Sequence, residues 1–195
     1  MRIVFIAAFA AAVLAAPAPA SAQTMTLTRS DADCAIRAVP AATRAEFRRV
    51  YPDNPTGALD ILFAPAVRDL VLACVRGGAE ENGHGAERQT GFAFGNLVGA
   101  YEMMNASAAH IATMDAGLAG SLDAAYGRLT PAQRAALVIS GGCVGADGGA
   151  ATRAFLSFLN PAMSEERKRA EPRLANELSV YAASRATYES MVSGS

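Results

Sequence analysis

The stretch CAIRAVPAATRAEFRRVYPDNPTGALDILFAPAVRDLVLACVR, residues 34–76, carries the clearest helical pattern of the chain. It returns in altered form as CVGADGGAATRAFLSFLNPAMSEERKRAEPRLANELSVYAASR, residues 143–185. A shift of 109 residues aligns the two without a gap and gives 11 identities in 43 positions. This repetition predicts a duplicated helical unit and two related halves around one core. Because the chain is rich in alanine, chance identity is the alternative.

The segment that begins at Pro65 shows the one-sided spacing of an amphipathic helix. One face, at positions i, i+3, i+4 and i+7, is occupied by Val67, Leu70, Val71 and Cys74. Pro65 suits the first helical turn, where a missing N–H group costs nothing. Gly77 can provide the left-handed C-terminal cap. We therefore predict a core helix that turns Cys74 inward.

Helix-start and helix-stop residues divide the rest of the chain into further helices. The main ones are predicted at residues 31–38, 42–51, 90–104, 106–118, 131–140, 150–159 and 172–191. Ser30 is the predicted cap of the first, and Thr130 with Gln133 forms a capping box. Ser164 is predicted to cap a further short helix, with Glu165 and Glu166 in its first turn. Residues 79–88 are predicted to be a polar loop. No segment alternates with a period of two over enough residues to indicate a strand.

The predicted fold class is therefore all-α: one bundle-like domain of eight or nine helices over residues 30–191. In the helix 42–51 we expect Ala45 and Phe47 to face the core and Arg44 to face outward. Gly91, Gly95 and Gly99 recur every fourth residue, and this spacing predicts the close approach of another helix.

Residues 1–22 have the pattern of a cleavable secretory signal peptide. Arg2 is a short basic region, residues 3–16 are apolar, and Ala20-Ser21-Ala22 fits a cleavage site. The apolar run is shorter than the ~20 residues that cross a bilayer, which disfavours the alternative of an uncleaved anchor. We expect export, to the periplasm in preference to the outside medium, and no stable membrane insertion after the signal is removed.

The mature chain should begin at Gln23, and residues 23–29 should form a disordered lead-in. The whole sequence has a formal net charge of −1, which becomes −2 when Arg2 is removed with the signal. That near balance gives no electrostatic basis for binding nucleic acid. We expect no nucleic-acid partner.

The three cysteines are an odd set for an oxidising compartment, where two are expected to pair. The second stretch has Ala183 where the first has Cys74. The simplest interpretation is a Cys34–Cys74 disulfide, with Cys143 left over because its partner was lost. A bond between Cys143 and one of the other two, or three buried thiols, are the alternatives.

Residues that could carry chemistry are few. Glu80, Glu81, Asn82 and His84 stand close together, but their spacing matches no calcium loop and nominates no complete zinc site. We therefore predict no metal and no cofactor. The second histidine, His110, lies on a predicted helix, where packing is commoner than catalysis.

Residues 141–149 are rich in glycine but lack the Gly-Lys-Ser/Thr ending of a P-loop and a preceding strand. A flexible hinge is the predicted role of this segment. Cys143 could be a thiol nucleophile, but no catalytic signature surrounds it, so a buried thiol is favoured. No Gly-x-Ser-x-Gly, His-Glu-x-x-His or Cys-x-x-Cys motif is present.

The matched pairs Arg44 with Arg153 and Arg76 with Arg185 could bind anions, although helix caps or surface ion pairs are the favoured interpretation. Tyr101 and Tyr188 are predicted to be core residues. The leading functional expectation is an exported, non-enzymatic protein that binds an unknown protein or small-molecule partner or interacts with the envelope. The alternative is an enzyme or small-molecule binder whose site is assembled only in three dimensions.

Overall fold

The structure is a computed structural model that describes residues 28–74, 83–140, 143–144 and 148–192, with side chains except at 83–92, 140 and 143–144. The described part contains eleven helices and one short strand pair. The helices are α1 (Arg29–Ala38), α2 (Ala41–Val50), α3 (Pro55–Leu62), α4 (Pro65–Ala73), α5 (Gly83–Met114), α6 (Ala116–Ala119), α7 (Leu122–Gly127), α8 (Pro131–Leu137), α9 (Gly148–Leu159), α10 (Glu165–Ala170) and α11 (Pro172–Val192). The strands are β1 (Ile139–Ser140) and β2 (Cys143–Val144). The predicted all-α class is confirmed, with more helices in the described part than the eight or nine expected.

The long helices α5 and α11 form the most extensive helix–helix contact of the described chain. Tyr101 of α5 contacts Tyr188 of α11, and His110 further along α5 contacts Glu177 nearer the start of α11. Residue numbers thus rise along one helix as they fall along the other. The two helices are therefore antiparallel, and the shorter helices pack around the two ends of this pair.

We call the apolar core at one end the N-terminal cluster. It joins α1–α4 to the earlier part of α5, and its buried side chains include Phe47, Tyr51, Leu62, Val71, Phe94 and Leu97. The predicted helix face is present in part, because Val67 and Val71 are buried whereas Leu70 is exposed. The prediction for Leu70 was wrong because α1 and α5 cover only the narrower strip of α4 around Val67 and Val71.

We call the core at the other end the C-terminal cluster. It joins the end of α5 and most of α11 to α6–α9, and its buried side chains include Ile111, Tyr126, Leu137, Phe158, Leu178 and Tyr181. Three local signals predicted its elements correctly. The capping box of Thr130 and Gln133 starts α8, Ser164 caps α10, and Pro172 begins α11.

Several predicted helix boundaries were wrong. The helix predicted at 131–140 ends at Leu137, and residues 139–140 form β1 instead. Thr28, rather than Ser30, caps α1 through its side chain. Helix α5 already includes residues 83–88, which were predicted to be loop, and it continues without a break past Asn105. The Asn105 side chain donates to the carbonyl of Tyr101 within the helix, and α11 packs alongside, so tertiary contact maintains a helix that local sequence interrupts.

Two predicted orientations in α2 were also wrong. Ala45 is exposed, whereas Arg44 is partly buried against α5. Phe47 is fully buried, as predicted. The apolar face of α2 is narrow, so its polar flank also contacts the core.

The predicted close approach at the glycines is made by a side chain rather than by a whole helix. The ring of Phe63, just after α3, lies against Gly95 and Gly99. A Cβ atom on Gly99 would lie 3.3 Å from the ring, and one on Gly95 would lie 3.5 Å from it. Phe63 nevertheless remains 45% exposed. Only the helical backbone of Gly91 is described.

The two stretches of the predicted duplication have matching elements over most of their length. With the 109-residue shift, α2, α3 and α4 correspond to α9, α10 and the first part of α11. They differ at the start, where α1 corresponds to the antiparallel pair β1–β2. The duplication itself stays a prediction. Within the described residues, no helix is both long and apolar enough to cross a membrane.

Candidate functional site

The predicted disulfide between Cys34 and Cys74 is present, with Cα atoms 5.8 Å apart. It joins α1 to the residue that follows α4, and so closes the N-terminal cluster across 40 residues of sequence. The side chain of Cys143 lies outside the described set. The disulfide therefore has a structural position rather than one near a cavity.

The loop candidates for metal binding cannot be located. Glu80, Glu81 and Asn82 lie outside the described residues, and only the backbone of His84 is described. Among the side chains that the structure describes, no three His, Cys, Asp or Glu residues are grouped as metal ligands would be. Much of the Gly-rich segment 141–149 is likewise outside the description, as is Arg76.

A fully buried carboxylate, Glu102, was not anticipated. Its Oε1 atom lies 2.9 Å from Nε of Arg44, and its Oε2 atom lies 3.8 Å from Nη2 of Arg48. The first contact is an ion pair without the alignment of a hydrogen bond, and Arg44 donates instead to the carbonyl of Ile36. Because burial outweighs the two arginines, the pKa of Glu102 is raised.

A second polar group connects α2, α5 and α11. The hydroxyl of Tyr51 donates to Glu177 at 3.2 Å and lies 2.7 Å from the hydroxyl of Ser107. Burial, reinforced by the Glu177 carboxylate, raises the pKa of Tyr51, so the phenol stays protonated. Since the single Tyr51 proton goes to Glu177, Ser107 must donate to Tyr51. This network joins the N-terminal cluster to the α5–α11 pair.

His110 extends the same network. Its Nδ1 atom lies 3.2 Å from Oε1 of Glu177, and the two side chains are 13% and 6% exposed. A histidine beside a buried carboxylate is the arrangement of many acid–base pairs. His110, however, does not line either of the two cavities described below. The structure thus places it in a packed interface, as the sequence predicted.

A concave groove of about 380 Å³ opens between α5, α6, α7 and α11. Its apolar lining is formed by Met104, Ala108, Ala119 and Leu122. Its polar and aromatic lining is formed by Asn105, Asp123, Tyr181, Arg185 and Tyr188. Tyr188 was predicted to be a core residue, but it is half-buried and pairs with the Tyr101 ring at 5.5 Å. Of this groove and the hollow described below, the groove is the one whose lining brings several titratable side chains together.

The polar wall of the groove is organised around Arg185. Its guanidinium donates to Asp123 and, at 2.8 Å, to the Tyr181 hydroxyl, while its Nε atom donates to Glu189 at 3.0 Å. Tyr181 in turn donates to Asp123 at 3.0 Å. The guanidinium lies 4.4 Å from the centre of the Tyr126 ring. Surface ion pairing was the favoured interpretation of Arg185, and these contacts agree with it.

Each titratable group in this wall keeps one protonation state near neutral pH. Hydrogen bonds from Arg185 and Tyr181 lower the pKa of Asp123. The carboxylate and phenol neighbours raise the pKa of Arg185 despite its partial burial. Burial raises the pKa of Tyr181. At neutral pH the wall therefore presents a fixed carboxylate, a fixed guanidinium and a neutral phenol, which suits recognition better than proton transfer.

A second hollow of about 500 Å³ lies between α8 and α9. It is open, its apolar lining is formed by three alanines and Leu156, and it contains Arg153, the residue matched to Arg44 in the alignment. The Gln133 amide donates to the Ser157 hydroxyl at 2.9 Å, and the Asn160 oxygen accepts from Lys168. Arg153 is the one titratable residue of this lining, so the hollow lacks the carboxylate and phenols of the groove.

No protein family, no curated protein and no solved structure matches this chain. The functional argument therefore depends on the residues themselves. Sequence reasoning missed Glu102, Asp123, Glu177 and Tyr181. A signal existed for Glu177, which shares a buried helical stripe with Leu174, Leu178 and Tyr181. Asp123 had none, because its partner Arg185 is 62 residues away.

Proposed function

We propose that this protein is an exported, non-enzymatic binding protein that holds a small molecule in the groove between α5, α6, α7 and α11. The observation that carries the proposal is the meeting of Asp123, Tyr181 and Arg185 at the wall of a cavity. Ligand sites are typically concave, mostly apolar and provided with a few placed polar groups. The groove has this composition, and its volume of about 380 Å³ is at the small end of the ~300–1,000 Å³ range.

Binding is proposed rather than catalysis because of the protonation states of the groove. A general acid or base works best when its pKa is near the operating pH. The pKa of Asp123 is lowered, and those of Tyr181 and Arg185 are raised, so none is suited to exchange a proton near neutrality. His110 lies outside the groove, against Glu177.

The test is a thermal-unfolding screen of the mature chain against a fixed library of small amines, amino acids, carboxylates, alcohols and sugars. A ligand that binds only the folded state raises Tm in proportion to RT ln(1 + [L]/Kd). Ala108→Phe fills the groove and should abolish the shifts. Ala109→Phe, on the exposed neighbouring position, should leave them unchanged. The proposal fails if no compound raises Tm, or if the shifts survive Ala108→Phe.

Export is a separate part of the proposal. It is supported by the composition of residues 1–22 and by the Cys34–Cys74 disulfide, since such bonds persist in oxidising compartments. Intact-mass measurement of the full chain expressed in a Gram-negative host should find, in the periplasmic fraction, a product that begins at Gln23. Recovery of an uncleaved, reduced chain from the cytoplasm would contradict it.

A further inference from the structure

Two hydrogen-bond acceptors at the groove are not used by the described protein. The Oδ1 atom of Asp123 accepts from Tyr181 and Arg185, whereas its Oδ2 atom receives no hydrogen bond from the described protein. Asn105 uses its amide N–H group on the carbonyl of Tyr101 at 2.8 Å, which leaves its side-chain oxygen available. An incoming molecule that satisfies these oxygens must be a hydrogen-bond donor.

The positive charge of the groove is already compensated. Arg185 contacts two carboxylates, Asp123 and Glu189, and also lies over the Tyr126 ring. An anionic ligand would meet a guanidinium whose charge two carboxylates already compensate, and it would approach the Asp123 charge. Asp123, by contrast, is 87% exposed and can take a second cationic partner. The charge arrangement therefore favours a cation over an anion.

The remaining lining suits the body of an organic cation. Tyr181 and Tyr188 offer aromatic surface, and Met104 and Leu122 offer apolar surface beside the carboxylate. A carboxylate next to aromatic rings is a usual environment for ammonium groups, since the ring faces are negative. The apolar wall would contact the hydrocarbon part of the same molecule.

We propose that the groove takes a small organic cation, in which an ammonium group binds Asp123 and an apolar or aromatic body lies against the wall of Met104 and Leu122. This inference rests on the proposed function, because it names the class of ligand for the same groove. It excludes carboxylates, phosphates and neutral sugars as the preferred ligands.

Three probes of nearly equal shape test the charge requirement: phenethylammonium, 2-phenylethanol and 3-phenylpropionate. Isothermal titration of the mature, oxidised chain at low ionic strength should give an affinity for the ammonium roughly tenfold above that for the alcohol, as an exposed ion pair and a cation–π contact together allow. The carboxylate should bind more weakly than the alcohol. The preference for the ammonium should shrink as salt is added.

Asp123→Asn keeps an oxygen that can accept from Tyr181 and Arg185 but removes the charge. It should weaken ammonium binding by about fivefold and leave alcohol binding unchanged. Asp60→Asn, the same change on an exposed residue of α3 outside the groove, should alter neither affinity. Thermal unfolding of each variant checks that the fold is kept.

The outcomes separate the two proposals. If all three probes bind alike, or if Asp123→Asn weakens the alcohol as much as the ammonium, the cation inference is wrong while the groove remains a binding site. If the carboxylate binds most tightly, or if none of the probes binds while other library compounds bind in an Ala108-dependent way, the ligand class is also wrong. If neither probes nor library compounds bind, both proposals fail.

Discussion

In the N-terminal cluster the carboxylate of Glu102 is fully buried beside Arg44, whereas beside the C-terminal cluster Asp123 is 87% exposed and paired with Arg185. Burial raises the pKa of Glu102, and hydrogen bonding lowers that of Asp123. A carboxylate next to an arginine thus has a raised pKa at one end of the helix pair and a lowered pKa at the other. The difference shows that depth, rather than partner type, decides which effect prevails.

The clusters also differ in how they are closed. The N-terminal cluster has a disulfide between α1 and the end of α4, while in the described part of the C-terminal cluster β1 and β2 occupy the corresponding place without one. The C-terminal cluster instead closes against most of α11, through Leu174, Leu178 and Tyr181. One end therefore depends on a covalent bond, and the other on apolar contact with a long helix. Removing the disulfide should test this contrast most strongly.

Replacing Cys34 and Cys74 together by serine should lower the free energy of unfolding by roughly 3–4 kcal/mol, because a 40-residue loop is no longer closed in the unfolded chain. Denaturant unfolding measures the loss, and hydrogen exchange should locate it in α1–α4 rather than in α7–α9. Reductant should destabilise the wild type but have no further effect on the double variant. Equal loss of protection at both ends would contradict the contrast between the clusters.

Tyr51→Phe tests the hydrogen-bond network that joins the N-terminal cluster to the α5–α11 pair. Loss of the hydroxyl leaves the buried Glu177 and Ser107 without their shared partner, which should cost about 1–3 kcal/mol of unfolding free energy. Tyr101→Phe is the matched control, since no hydrogen bond of the described chain involves its hydroxyl, and it should change stability by less than about 0.5 kcal/mol. Similar losses in both variants would show that the network contributes nothing specific.

Glu102→Gln tests the electrostatic contrast through pH. Folding raises the pKa of the Glu102 carboxyl group above its ordinary value of 4.5. The folded wild type therefore loses stability as the pH rises from 4.5 through the raised pKa. The variant has no such loss, so its stability relative to wild type should increase between pH 4 and pH 7. Urea unfolding at several pH values measures this slope.

Asp123→Asn is the opposite case. The lowered pKa of Asp123 stabilises the wild type above the ordinary value of 3.8, and this contribution is lost as pH falls. The variant should therefore be less stable than wild type at pH 7, and the difference should disappear towards pH 2. Slopes of the same sign for the two variants would show that the two carboxylates do not differ as described.

The smallest expected effect concerns the contact of Phe63 with α5. Gly95→Ala should raise the free energy of unfolding by about 0.5–1 kcal/mol, because a Cβ atom there meets the ring at an ordinary 3.5 Å and alanine favours helix. Gly99→Ala should raise the free energy of unfolding by less, because its Cβ atom would lie 3.3 Å from the ring, which is closer than an ordinary contact. A larger gain at Gly99 would mean that the exposed ring moves away without cost.

Local signals in the chain were sufficient for most helix boundaries. Pro65, Thr130 with Gln133, Ser164 and Pro172 start their helices where predicted, because caps and prolines act on neighbouring backbone groups. They were insufficient for α5, where packing against α11 maintains one helix through Asn105. At α5 a distant element outweighs the local preference, whereas at α1 the error lay between two local caps, Thr28 and Ser30.

The candidate site likewise combines a residue that the sequence indicated with residues that only the packing brought together. Arg185 was singled out from the alignment, but Asp123 and Tyr181 were not, because the three share no sequence pattern. The residues that the sequence analysis considered for metal binding or catalysis do not form a site in the described part of the chain. Glu80, Glu81 and the side chain of His84 lie outside it, and His110 is packed against Glu177.

The amino-acid sequence by itself determined the helical class and the main helix starts, because spacing and caps act within short segments. It favoured the pairing of Cys34 with Cys74 through the repeated segments, and the structure shows that bond. Only the tertiary structure decided which charged groups are buried and which form a cavity. Glu102 and Asp123 are both ordinary acidic residues in the sequence. Their pKa values, and the position of Asp123 at a cavity, depend on how α5, α7 and α11 pack.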